Sequence, residues 1–93
     1  MDDNLERTLQ KLHESGIDAT VESHARGGMH VRIGDDKGER ARTRIDKTVT
    51  NGGHRWISPH AVTRWLHEMA MKCFPSSRYA LDSAVDSKIR RDP

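Results

Sequence analysis

Cysteine occurs once in the chain, as Cys73, so no intramolecular disulfide can form and no Cys pair is available for a structural zinc site. Aromatic residues are scarce at 4%, and none interleaves with Arg32, Arg40, Arg42 and Arg44 as a stacking platform for single-stranded nucleic acid requires. No stretch approaches the roughly 18 apolar residues of a membrane span. The start, Met1-Asp2-Asp3-Asn4, is acidic and has no apolar core of a secretory signal. With 93 residues, 33% hydrophobic, and a mean hydropathy of −0.86, the expectation is one small soluble, cytoplasmic domain. Its apolar positions must all be used well or shared with a partner, so a homodimer is an open alternative.

Catalytic and metal signatures are missing as well. Six histidines are present, but no His-x₃-His pair occurs, and His60 and His67 are separated by Arg64, whose charge repels a cation. Cys73 has neither a nucleophile elbow nor a family signature around it. Gly27-Gly28, Gly34, Gly38 and Gly52-Gly53 fall at hairpin turns rather than between a strand and a helix, so the usual phosphate loops are absent. Pro59-His60-Ala61-Val62-Thr63-Arg64 with Tyr79 has a His-to-Arg spacing one residue too long for a tyrosine recombinase, and the chain is far shorter than that catalytic domain. No enzyme, metal site or cofactor is expected.

What the sequence does contain is an uneven charge. Residues 1–23 hold two basic and six acidic side chains, residues 24–64 nine basic and four acidic, and residues 65–93 carry a net +1, within an overall +2. The middle segment is the basic one, and four of the six histidines lie in it.

Periodicity sets the elements. Leu5, Leu9 and Leu12 recur at helical spacing, Asp3 and Glu6 suit a capping box, and Gly16-Ile17 suits a Schellman ending with Ile17 against Leu12, so a helix is expected over 3–15. From Ile17 the period becomes two: Ile17, Ala19, Val21 and Ser23 face one way, Asp18, Thr20, Glu22 and His24 the other. After the turn Ala25-Arg26-Gly27-Gly28, Met29, Val31 and Ile33 alternate with His30 and Arg32 until Gly34. After Asp35-Asp36-Lys37-Gly38, Ala41, Thr43 and Ile45 alternate with Arg40, Arg42 and Arg44. Short connections imply an antiparallel meander. Asn51-Gly52 signals a type I′ hairpin pairing Thr48-Val49-Thr50 with His54-Arg55-Trp56-Ile57, read as a ragged fourth strand of the same sheet.

Ser58 and Pro59 open a second helix with the apolar stripe Val62, Trp65, Leu66, Met69, Cys73 and Phe74, stopped by Pro75. Ser76 or Ser77 suits the cap of a short third helix carrying Tyr79, Leu81, Val85 and Ile89. The expected fold is therefore α+β, in the order α-β-β-β-(β)-α, with both helices on one sheet face. Residues 1–75 form the domain, and 76–93 form a short helix or partly flexible tail.

The order and length resemble the double-stranded RNA-binding domain, and Gly28-Met29-His30 resembles that family's loop with a histidine after glycine and proline. The second helix departs from it. Ser58-Pro59-His60-Ala61-Val62-Thr63-Arg64 supplies one arginine and one histidine where the family has a lysine-rich phosphate clamp. A shared topology is analogy, and the chain is not assigned to the family.

The candidate site is the outward face of the meander, where Arg32 stands opposite Arg40 or Arg42 and His30 opposite Arg42 or Arg44, with Arg26 and Arg55 widening the patch. Like charges opposed on a sheet repel, so something compensates. One compensation is a polyanion, nucleic acid first, met by arginine forks through phosphate rather than base contacts. The other is a ladder of ion pairs to Glu22 and Asp18. The first gives a non-enzymatic nucleic-acid-binding module. The alternative is a small protein-binding accessory or inhibitor, of a phage or mobile-element kind, using Trp56, which is either core or part of an exposed patch, whereas Trp65 fits the core.

Overall fold

The computed structural model describes residues 3–46 and 48–83, apart from the side chains of Val49, Asn51, His54, Arg55 and Trp56. Its elements are α1 (Asp3–Glu14), β1 (Asp18–Ser23), β2 (Met29–Asp35), β3 (Gly38–Ile45), β4 (Thr48–Asn51), β5 (His54–Ile57) and α2 (Pro59–Cys73). A further helix, α3, occupies the described residues 78–83. The α+β architecture with a three-stranded meander follows from the hydrophobic alternation of the sequence.

α1 begins at Asp3, so Asp3 lies inside the helix rather than capping it. Asp3 and Glu6 instead place two carboxylates in the first turn, where the exposed N–H groups favour negative charge. The other end is the expected Schellman motif. Ile17 N–H donates to the Leu12 carbonyl at 2.9 Å, Gly16 N–H donates to His13 at 3.0 Å, and Gly16 has φ 80°, a left-handed value that glycine adopts without strain. Leu12 and Ile17 are both buried, so the motif also joins the helix end to the core.

β1, β2 and β3 form one antiparallel sheet in that order. Its inner face carries Ala19, Val31 and Ile33, which share a core with Leu5 and Leu12 of α1 and Val62, Leu66 and Ala70 of α2. α1 lies against β1, α2 against β2 and β3, and the two helices against each other. Trp65 packs against this core as expected, along with Met69 and Phe74. Ser58 caps α2 by accepting from Ala61 N–H at 3.3 Å, and Pro59 occupies its start. Ser77 caps α3, accepting from Ala80 N–H at 3.1 Å, and Ala80 is buried. The expected α3 positions Val85 and Ile89 lie outside the described residues.

Two further expectations change. The β4–β5 hairpin forms, but it is a separate two-stranded sheet rather than a fourth strand of the meander. Its turn is also displaced by one residue: Asn51 pairs with His54, and the two central residues are Gly52 (φ 60°) and Gly53 (φ 84°). A type I′ turn needs positive φ at both central positions, and Gly-Gly meets that requirement at less strain than Asn-Gly.

The second change is a bulge. Ile33 pairs with Ala41 while the next residue, Gly34, pairs with Glu39, leaving Arg40 as an extra residue on β3. Such an insertion shifts the side-chain alternation beyond it by one. Gly34 permits this: a Cβ there would sit 2.8 Å from the Glu39 Cα. The sequence pattern reads Gly34 as the end of the strand, whereas β2 continues to Asp35, opposite Gly38.

Candidate polyanion-binding face

Because both long helices pack on the inner face, the outer face of the meander is left to solvent. Its side chains stand in rows across the strands: Glu22, His30 and Arg44 in one, and Thr20, Arg32 and Arg42 in the next. Arg32 is therefore directly opposite Arg42, and His30 opposite Arg44, two of the juxtapositions the meander implies. Arg26 lies exposed in the β1–β2 turn, where its backbone N–H donates to His24 Nδ1 at 3.1 Å. The His24 and His30 rings meet edge-on with centroids 6.1 Å apart.

Arg40 does not share this face. The bulge carries it toward the C-terminal end of α2, where its guanidinium lies 5.9 Å from the Phe74 ring centroid, within cation–π range. Arg40 also bonds Asp35 at 3.3 Å. The Lys37 backbone N–H donates to Asp35 Oδ1 at 3.0 Å. That bond is the main reason the Asp35 carboxyl titrates below its ordinary range, with Arg40 adding to the effect. Arg55 and Trp56 belong to β5, opposite Thr50 and Val49, and their side chains lie outside the described residues.

The charges on the face are balanced locally. Arg32 bonds Glu22 at 3.4 Å, Arg42 bonds Glu39 at 2.8 Å, and Arg44 bonds Asp46 at 3.3 Å. Arg44 also donates to the Gly27 carbonyl at 3.1 Å, which ties β3 to the β1–β2 turn. Glu22 is thus the ladder partner expected from its strand position. Asp18 stands opposite Gly34 and, among the described residues, holds no arginine.

Glu39, Asp35 and Asp46 are the partners the sequence pattern misses. Glu39 and Arg42 are three residues apart, which in a regular strand puts them on opposite faces, and only the bulge brings them together. The one available signal was Gly34 beside a polar turn, and it reads equally well as a strand end.

Exposure decides what these pairs can do. The Arg32 side chain is 41% exposed and Glu22 61%; Arg42 is 64% exposed. Ion pairs this wet are worth about 0 to 1 kcal/mol each, so a stronger acceptor can displace the carboxylate. A phosphate, which takes a guanidinium fork in charge-assisted bonds, is such an acceptor.

Among the described residues no group of three His, Cys, Asp or Glu side chains is placed to hold a metal ion, and no helix is long and apolar enough to cross a membrane. No family model matches the chain, and no curated protein or solved structure matches it either, so the likeness to the double-stranded RNA-binding domain remains one of element order.

Proposed function

We propose that the protein is a non-enzymatic binding module whose outer sheet face docks the phosphate backbone of a nucleic acid. The observation that carries this reading is the direct cross-strand opposition of Arg32 and Arg42 on a face that neither α1 nor α2 covers. Two like charges in register on neighbouring strands cost stability, and the weak pairs to Glu22 and Glu39 offset that cost only in part. A polyanion offsets it fully and uses both guanidinium forks.

Arg44 and His30 extend the row beside them, and Arg26 borders it from the turn with no carboxylate partner among the described residues. Arg40, turned toward Phe74, is not part of the docking set. The face carries no Phe, Tyr or Trp among its described side chains, which favours a duplex over a single strand that would need such stacking partners.

The test is a fluorescence anisotropy titration with short double-stranded DNA, double-stranded RNA and single strands at about 50 and 200 mM salt. Three phosphate contacts, from Arg32, Arg42 and Arg44, give a weakening of about 40-fold over that range. Arg32→Ala with Arg42→Ala removes two contacts and should flatten the salt dependence to a few-fold. A folded double variant that binds as wild type does, or no binding at the lower salt, would overturn the proposal and leave the ion ladder as the reason for these arginines.

A further inference from the structure

A wide groove lies on the helical side of the molecule. It is a groove of about 690 Å³ walled by α1, the start of α2 and α3, and its volume falls within the range of small-molecule sites. Arg7 and Lys11 line it from α1, His60 and Thr63 from α2, and Arg78 and Asp82 from α3.

Arg7 and Lys11 are four residues apart, so they stand one turn above another on the same helix face and repel mildly. Among the described residues neither has an ion-pair partner, in contrast to the arginines of the sheet. Two carboxylates also line the groove: Asp82, paired with Arg78 at 3.8 Å, and Glu14, which accepts from the neutral Gln10 amide at 3.4 Å and keeps its charge, so the three cations Arg7, Lys11 and Arg78 still outnumber them. The first turn of α2, which forms the second wall, contains no acidic side chain, so nothing there neutralises the positive end of the helix.

We infer that this groove binds a small phosphate-bearing ligand of nucleotide size, with Arg7 and Lys11 holding the phosphate. A bare phosphate would fill only a small part of the volume, and the ring of His60 and the oxygen of Thr63, whose hydroxyl donates to the Pro59 carbonyl at 3.0 Å and can still accept, give the remainder a polar lining suited to a sugar or base. The site is separate from the sheet face and stands or falls independently of it.

Isothermal titration of the full chain with ADP, inorganic pyrophosphate and adenosine tests the inference. ADP is expected to bind and to be displaced by pyrophosphate, while adenosine, which lacks the phosphate, is expected not to bind. Arg7→Ala with Lys11→Ala should weaken ADP binding by about tenfold or more, the size of a lost charge-assisted contact. The charge-preserving pair Arg7→Lys with Lys11→Arg should keep most of the binding, and Arg32→Ala with Arg42→Ala should leave it unchanged. Both groove positions are exposed, so the melting temperature should stay put and serve as the folding control. No ADP binding at millimolar concentration, equal binding of adenosine, or unchanged affinity in a folded Arg7→Ala, Lys11→Ala variant would overturn the inference.

Discussion

The two sides of this molecule carry comparable cations in opposite circumstances. On the outer sheet face every described arginine meets a carboxylate: Arg32 with Glu22, Arg42 with Glu39, Arg44 with Asp46. In the helical groove, Arg7 and Lys11 meet none among the described residues. The sheet arginines of the most basic segment are thus locally neutralised, while two cations of the segment with net negative charge meet no carboxylate among the described residues. Charge density along a chain measures how many ions are nearby, and folding decides which of them are available.

Four perturbations break or sharpen this contrast. The largest acts on the core that both surfaces share. Leu66 is fully buried, and Leu66→Ala should destabilise the fold by about 2 to 5 kcal/mol in a denaturant titration through lost burial and the cavity left behind. A change below about 0.5 kcal/mol would mean that α2 does not seal the sheet and that neither surface is positioned as described.

Gly34→Ala acts on the sheet side alone. The new Cβ meets the Glu39 backbone, so the bulge must shift, at a cost of about 1 to 3 kcal/mol, and Glu39 loses its placement beside Arg42. Nucleic-acid affinity should change while ADP affinity does not. A variant as stable as wild type would show that the bulge is not what sets the spacing of this face.

Glu39→Gln with Asp46→Asn frees Arg42 and Arg44 without removing either. Stability should move by no more than about 1 kcal/mol, as expected for exposed pairs, and duplex affinity should rise by about two- to tenfold, since the arginines no longer exchange partners on binding. Unchanged affinity would mean that these arginines never leave their carboxylates.

The smallest effect is a pH dependence at the β2–β3 turn. Asp35 titrates below its ordinary value of 3.8, so the bonds from Lys37 and Arg40 contribute stability that is present above that pH and lost as the pH falls through the lowered folded value. Asp35→Asn should remove this acid-side slope from melting curves taken between about pH 5 and pH 2. An unaltered slope would place the origin of any acid sensitivity elsewhere.

Much of the fold was legible in the sequence because local signals and hydrophobic period agree. Leu12, Gly16 and Ile17 specify a helix ending that the backbone bonds reproduce, and Ala19, Val31 and Ile33 fall inward by simple alternation. Ser58-Pro59 opens α2 where capping chemistry places it. The Asn51-Gly52-Gly53 run announced a hairpin, but which two residues take positive φ depends on the register of β4 against β5, and whether the hairpin joins the main sheet depends on contacts no local pattern encodes.

The candidate face was only partly legible. Short turns and period two narrow the partner of Arg32 to Arg40 or Arg42 and that of His30 to Arg42 or Arg44, and the strand register selects Arg42 and Arg44. The exclusion of Arg40 and the arrival of Glu39 do not follow from that pattern, because a single inserted residue reverses the alternation and Gly34 does not by itself say whether it ends a strand or bends one. The groove was invisible for a different reason. Arg7 and Lys11 read as the solvated side of an amphipathic helix, and only the packing of α2 and α3 turns that side into a wall.

The most direct measurement is a map of backbone amide shifts on ¹⁵N-labelled protein during titration with a short duplex at about 50 mM salt. Perturbations concentrated at His30, Arg32, Arg42 and Arg44 and in the Arg26 turn, fading at about 200 mM salt, are the expected result. Perturbations centred instead on Arg7, Lys11 and His60, or none at all at the lower salt, would contradict the assignment of the nucleic-acid partner to the sheet face.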